Sequence, residues 1–584
     1  MQDNPVQDNA LNNHNPPSFP SLNRRDMLRR IGAITATSSL GALAAKAMPV
    51  EAQNSAEQST SGQMQVLPTM ANAVEVEPLP ELEVIAFNRM SFGPRPGDLE
   101  AFRSLGDTPD ERHLAYVDQQ LNSSSIDDSA CEAILAQQGY MTLELNLSDT
   151  WTKYVLREGD ENKQNDRYLP AKEVVRSAFL RAVYSKRQLD EVLADFWHNH
   201  FNVYAWNRWE GPTFRLYDRD AIRANMLGNF RQMLEAVAKS PTMLYYLDNQ
   251  SNTGGEPNEN YAREAFELHT MGAENYLGVL DPEQDADQIF DGNGLPIGYI
   301  DYWVYGATTC FSGWRVNSET GQFEFDESAH FDYPKLVLGA TIPPFQGEKD
   351  GHDVLDLLVN HPGTARYVSR KLCRRFISDN PPEEVVQAAA DVFYANRAAP
   401  DQLKKVVRTI LLSDAFKITW GEKIKRPFEY VVSAMRGTNY DFDAEQQFFW
   451  RYDPAGQPLY SWPAPDGFPD MKESWLGTMS FLQRMRITNY LMEWTFPDEH
   501  PMAKQRRFRP GEQTPSSLKS PRALIDYWSN RILGRALPVE ESDAIVEFMA
   551  SGRNWDHDLP QDDIEERLAY AIALILMSSV FMLR

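Results

Sequence analysis

Helical apolar periodicity recurs over most of the chain after residue 80, and it constrains the fold more than any other feature. It is clearest between residues 185 and 272. Leu189, Val192, Leu193, Phe196, Trp197 and His200 follow the i, i+3, i+4, i+7 spacing of one buried helical face. Ser185 and Gln188 have capping-box spacing and predict that this helix starts there. A second helix is expected between Asn258 as N-cap and Gly272 just past its end. Asn229 with Gln232, Ser240-Pro241 and Asn360-His361-Pro362 mark further starts. Ala171 to Tyr184 and Ile564 to Leu583 carry the same period. The expected class is mainly α: a multi-helix globular assembly with irregular Pro/Gly-rich loops and a few short strands.

Both central helices place a histidine on an apolar face. In the first, His200 falls within the stripe, and a helix continuing through it turns His198 the opposite way, beside Asp195 and Glu191. If the chain instead becomes extended near Trp197, His198 and His200 share a face and form a chelating pair. The bland alternative is one core and one surface histidine at a helix end. In the second helix, Tyr261, Ala262, Ala265, Phe266, Leu268 and His269 form the apolar arc. Asn260, Glu264 and Glu267 form the opposite arc, with Arg263 beside it. Glu264 and Glu267 lie one turn apart, a spacing that suits acid–base work or metal ligation, and equally a solvated acidic face. On a regular helix they do not serve the same centre as His269.

The net charge of −26 argues against nucleic acid and anionic membrane surfaces as partners. Cys131, Cys310 and Cys373 are odd in number and far apart, so no disulfide framework is implied. Asn23-Arg24-Arg25-Asp26-Met27-Leu28, a mild apolar run and Ala45-Lys46-Ala47 look like a twin-arginine export signal. That run is too short and too polar to span a bilayer, so no stable transmembrane anchor is expected after processing. The expected division is a signal region over 1–47, a linker over 48–80, a helical core with the candidate site over 81–380, and a helical region over 381–584 packed on it. Asp285, Asp287, Asp291, Asn293 and Asp301 cluster around two glycines. Oxygen-rich loops of this kind can bind Ca²⁺, but the spacing is not that of an EF-hand, and plain loop chemistry is the simpler reading. His330 is a spare ligand candidate. The helix after Pro362 carries Arg366, Arg370, Lys371, Arg374 and Arg375, which suit either an anionic substrate or ion pairs with surrounding carboxylates.

No Gly-x-Ser-x-Gly elbow, phosphate loop, His-Glu-x-x-His or dinucleotide fingerprint is present. Several stretches nevertheless form a recognisable set. They are Asn88-Arg89-Met-Ser-Phe92-Gly93, Phe196-Trp-His-Asn-His-Phe201, Leu227-Gly-Asn-Phe230 through Tyr246-Leu-Asp248, and Asn258 through Glu264 to Glu267-Leu-His269-Thr. Gly313-Trp314, His361-Pro through Lys371-Leu, Lys425-Arg-Pro427 and the closing Ser578 to Arg584 complete it. From about residue 81 onward the chain resembles the bacterial domain-of-unknown-function family number 1800, departing from it by an Asp/Gly-rich insertion between Gly278 and Thr309. The resemblance implies a mostly helical, exported protein and carries no activity.

The functional expectation is a metal- or cofactor-dependent enzyme of the cell envelope, a hydrolase or oxidoreductase, periplasmic or extracellular. His198, His200 and His269 would hold a transition metal (Zn, Fe, Cu or Mn). Glu264 or Glu267 would act as acid/base or carboxylate ligand, with Arg263 as a substrate or supporting group. The alternative is a non-catalytic binding or assembly protein that meets an envelope partner and whose histidines stitch helices together.

Overall fold

Helix starts follow from short polar side chains and prolines, and they fix which faces turn inward. The computed structural model describes residues 79–158, 166–493 and 508–584. The expected export signal, and all of the expected linker but its last two residues, lie outside the described residues. The protein is mainly α, and among the described residues there are three two-stranded sheets of short strands. The helices that matter for the site are α1 (Leu82–Met90), α2 (Leu169–Tyr184), α3 (Gln188–His200), α4 (Asn260–Glu264), α5 (Asp301–Cys310), α6 (Pro362–Phe376), α7 (Pro427–Thr438) and α8 (Gln561–Leu576). One hydrophobic core runs from Ile85 to Met582. Among the described residues, no helix is long and apolar enough to cross a membrane.

Several local expectations are corrected. The Ser185–Gln188 capping box does not form. Ser185 Oγ donates to Asp128 and accepts the Arg187 amide, while Gln188 Nε2 donates to the carbonyls of Ala182 and Ser185. Both side chains are thereby spent on the turn between α2 and α3. Helix α4 begins at Asn260, two residues after Asn258, whose side chain accepts the Asn260 amide. It then widens into a π-helix over Ala265–Thr270. The terminal helix stops at Leu576, and a separate short helix, Ser579–Met582, follows Ser578 as N-cap.

Two arginines pin α1 to the C-terminal half. Arg89 is buried and donates to the carbonyls of Phe416 and Thr419. Arg436 of α7 donates to the carbonyls of Gly93 and Val183 and pairs with Asp98. The closing residues return to Lys423–Lys425: the Lys425 amide donates to Met582, the Arg584 amide donates to Lys423, and Lys425 Nζ lies 4.0 Å from the Phe581 ring centroid.

Candidate functional site

The α3 helix continues through His200, so His198 and His200 diverge. The extended chelating pair does not form. His198 Nε2 lies 2.8 Å from Asp218 Oδ1, and Arg223 joins Asp218 to Glu191 in one buried chain of charge. Burial opposes ionisation of Asp218, but Arg223 and His198 hold its carboxyl well below the usual range. His198 is therefore tied to an acid, as expected of a residue facing away from the stripe, but that acid lies on the segment after α3 rather than on α3 itself.

Asn199, between the two histidines, clasps a distant loop. Its Oδ1 accepts the Phe468 amide at 2.7 Å and its Nδ2 donates to the Phe468 carbonyl at 2.9 Å. Asn202 adds bonds to the carbonyls of Trp462 and Ala464. Gly467 has φ +76° and lies so close to the Asn199 carbonyl that a Cβ would clash. The start of α3's exit thus fixes the 460–470 loop, which carries Asp466 and Asp470. Asn199→Ala is expected to cost about 2 kcal/mol, two hydrogen bonds' worth, and to speed amide exchange at Phe468. Unchanged exchange there would show that the loop is held by other contacts.

His200 Nε2 donates to the His269 carbonyl at 3.1 Å, which leaves its Nδ1 as a buried acceptor without a partner. Neither ring nitrogen of His269 has a partner, and the residue is fully buried. The Tyr261 hydroxyl is also buried and unpartnered, and its ring lies 6.4 Å from that of His269. Burial, then Lys371, pushes His269 down to about 3 and His200 well below its ordinary value, so both are neutral imidazoles. The expectation of two helices each lending a histidine to one interior holds for this pair; His198 belongs to a different network. Among the described residues, no group of three or more His, Cys, Asp and Glu side chains is placed to hold a metal ion.

The π-helix over Ala265–Thr270 changes the register that a regular helix would impose. It buries His269 while leaving Glu264 and Glu267 half-buried. π-helical turns are uncommon and concentrate at functional sites. Gly272 (φ +85°) ends the segment, and the Tyr367 ring of α6 fills the space a Cβ would need. One helical turn on from Tyr367, Lys371 sets its ammonium 5.8 Å from that ring. Burial lowers the Lys371 ammonium; Asp470 and Asp466 oppose this, and Arg374 adds to it. Burial, then Glu267, pushes the Glu264 carboxyl up to about 7; Arg263 opposes and Asp466 adds to the rise. Glu264, Glu267, Lys371, Asp466 and Asp470 thus share one electrostatic neighbourhood. Arg263 itself is engaged by Glu259 and Asp301, each at 3.2 Å.

Of the aspartates considered for Ca²⁺, three are engaged in local hydrogen bonds and an ion pair. Asp285 accepts the Asp281 amide, Asp291 accepts the Asn293 and Leu295 amides, and Asp301 pairs with Arg263 and Tyr276. His330 lies between Ser312 and Asp350, with Lys335 completing a buried cluster.

Sequence reasoning named Lys371 only as part of a basic helix and missed Asp218, Arg223, Asp466 and Asp470. Lys371 had one usable signal, its place in a recognisable stretch. The aspartates lie in loops whose positions only the tertiary contacts of α3 determine.

A mainly α protein with a buried imidazole pair beside a carboxylate–lysine rim is the class these features define. A family model for proteins of unknown function, DUF1800, matches residues 85–583, and the chain belongs to that family. No curated protein and no solved structure matches it.

Proposed function

We propose that the chain is a cell-envelope enzyme in which Glu264 is the acid–base group, acting where the π-helical segment, α6 and the 460–470 loop meet. The observation that carries this reading is the half-buried Glu264 carboxyl, raised to about 7 by burial and by Glu267, with Lys371 linked to the same neighbourhood through Asp466. A group titrating near neutrality works in either direction of proton transfer, and a nearby cation stabilises negative charge as it develops. Hydrolysis suits this set best, with oxidoreduction as the alternative. Export by the twin-arginine route to the periplasm or beyond is part of the same proposal and rests on Arg24-Arg25 and the run after them. The test is a panel of ester, glycoside, amide and phosphoester substrates, with the parent compared against Glu264→Gln. Turnover that falls by about 10²-fold or more supports the role; equal turnover in both removes it.

A transition metal at His200 and His269 is a second reading, favoured by their unpartnered nitrogens. Two imidazoles are fewer than the three protein ligands usual for a catalytic zinc, so two positions of a four-coordinate ion would fall to water or substrate oxygens. Elemental analysis of parent and His200→Ala/His269→Ala protein decides it. Stoichiometric Zn, Fe, Cu or Mn lost in the variant supports the site. A well-folded parent without metal makes the histidines structural, in line with the stitching by His198 and Asn199, and directs the search to an envelope partner.

A further inference from the structure

Six cationic side chains, Arg374, Arg375, Lys423, Arg426, Lys472 and Arg584, line one crevice in a protein of net charge −26. Asp379, Glu429 and Asp470 share its lining. The pairing between them is uneven. Glu429 Oε1 accepts from both Arg375 and Arg584. Glu429 Oε2 accepts the Arg426 amide at 2.9 Å and lies 3.7 Å from Arg426 Nε. One carboxylate therefore faces three guanidinium groups. Asp195, behind the crevice, takes the other end of Arg426, and Asp379 takes Lys423.

Donors are left over. The side chains of Arg375 and Arg584 are 6% and 3% exposed. Nε of Arg374, Arg375 and Arg584 is buried without a hydrogen-bond partner, and Arg375 Nη2 stands 3.8 Å from Asp195 without bonding to it. A buried donor without an acceptor costs about 1–3 kcal/mol. Every orphan atom here is a donor, so the missing partner is an acceptor. A water would supply lone pairs but no charge, and the crowding of like charges selects an anion over water. The same crowding is visible in titration: burial, then Arg375, lowers Arg584 to about 9, and burial, then Arg584, lowers Lys423 to about 8.

We propose that this crevice is an oxyanion-binding site for a phosphoryl or carboxylate oxygen. Its free interior of about 20 Å³ holds one water-sized atom. A single oxygen therefore enters, while the rest of the ligand projects past Arg374, Asp470 and Lys472, the half-buried members of the lining. The crevice adjoins the Glu264 neighbourhood through Asp470 but does not include Glu264, Glu267 or Lys371, so anion binding and its loss in the variants below are read separately from the acid–base role.

The test is isothermal titration and thermal unfolding of the full chain with inorganic phosphate, methyl phosphate and acetate, each against sodium chloride at matched ionic strength. The variants are Lys472→Gln and Arg374→Gln/Lys472→Gln, which spare the Glu429 cluster. Saturable binding that raises the unfolding midpoint, and that weakens at least tenfold (about 1.4 kcal/mol) in the double variant, is the expected result. Inorganic phosphate binding as tightly as methyl phosphate identifies a free ion as sufficient. Preference for methyl phosphate, or for acetate, identifies a phosphoryl or carboxylate group on a larger molecule. Responses no greater than those to chloride, or equal affinity in parent and variant, overturn the proposal. Should the double variant fail to fold, the single Lys472→Gln protein provides the same comparison.

Discussion

Glu429→Ala is expected to be the most damaging single substitution in the interior, at about 3–5 kcal/mol, the range for stranding a buried charge. The loss comes less from the contact removed than from what remains. Arg375 and Arg584 each lose their carboxylate acceptor, and Arg426 keeps only Asp195. The measurement is the urea midpoint at pH 7. Glu429→Gln, which keeps one acceptor oxygen, should fall between parent and alanine variant. The pH dependence has a definite sign. Burial works against the charge, but Arg375, Arg584 and Arg426 hold the Glu429 carboxyl well below the 4.5 of a free glutamate side chain. A folded-state value below the unfolded one stabilises above pH 4.5, and that contribution is lost as pH falls below it. The parent should therefore lose stability on acidification more steeply than Glu429→Ala. A cost under about 1 kcal/mol would show that the guanidinium groups are compensated from elsewhere.

The central cluster was visible in the sequence wherever local periodicity decides position. The stripe on α3 placed His200 inward, and the arc on the following segment placed His269 inward, because burial of apolar neighbours carries those histidines with it. The separation of Glu264 and Glu267 from His269 was legible as well: a period of 3.6 residues puts them on opposite arcs, and the structure buries His269 and leaves both glutamates half-buried. What was not legible is the π-helix over Ala265–Thr270, which no spacing rule announces. The capping box at Ser185 failed for a similar reason. Asp128, 57 residues earlier, accepts the Ser185 hydroxyl, and the hydroxyl oxygen accepts the Arg187 amide rather than that of Gln188. Several of the recognisable stretches are tertiary clasps: Arg89 on the carbonyls of Phe416 and Thr419, Asn199 on Phe468, and Gly93 against Ser433. Those contacts join residues more than two hundred positions apart, where local pattern carries no information.

Glu264→Gln is expected to make the protein more stable at high pH while removing activity. In the folded state the carboxyl titrates at about 7, against 4.5 for the free side chain. The folded form thus holds its proton more tightly, and stability is at its fullest below pH 4.5 and declines as pH rises through 7. Read at face value, that shift corresponds to about 3 kcal/mol. The carboxyl is only half-buried, so solvent screening reduces the expected effect to about 1 kcal/mol. Glutamine stays neutral at every pH and escapes the penalty. Parent and variant should unfold at the same temperature at pH 4, and the variant about 1–2 °C higher at pH 8. Activity, once a substrate is in hand, should fall by about 10²–10⁴-fold. Lost activity together with gained stability is what distinguishes a carboxyl held under strain for chemistry from one on a solvated face. A variant that tracks the parent from pH 4 to pH 8, or that is the less stable of the two at pH 8, would return Glu264 to the solvated face and leave the buried imidazoles as the remaining candidate centre.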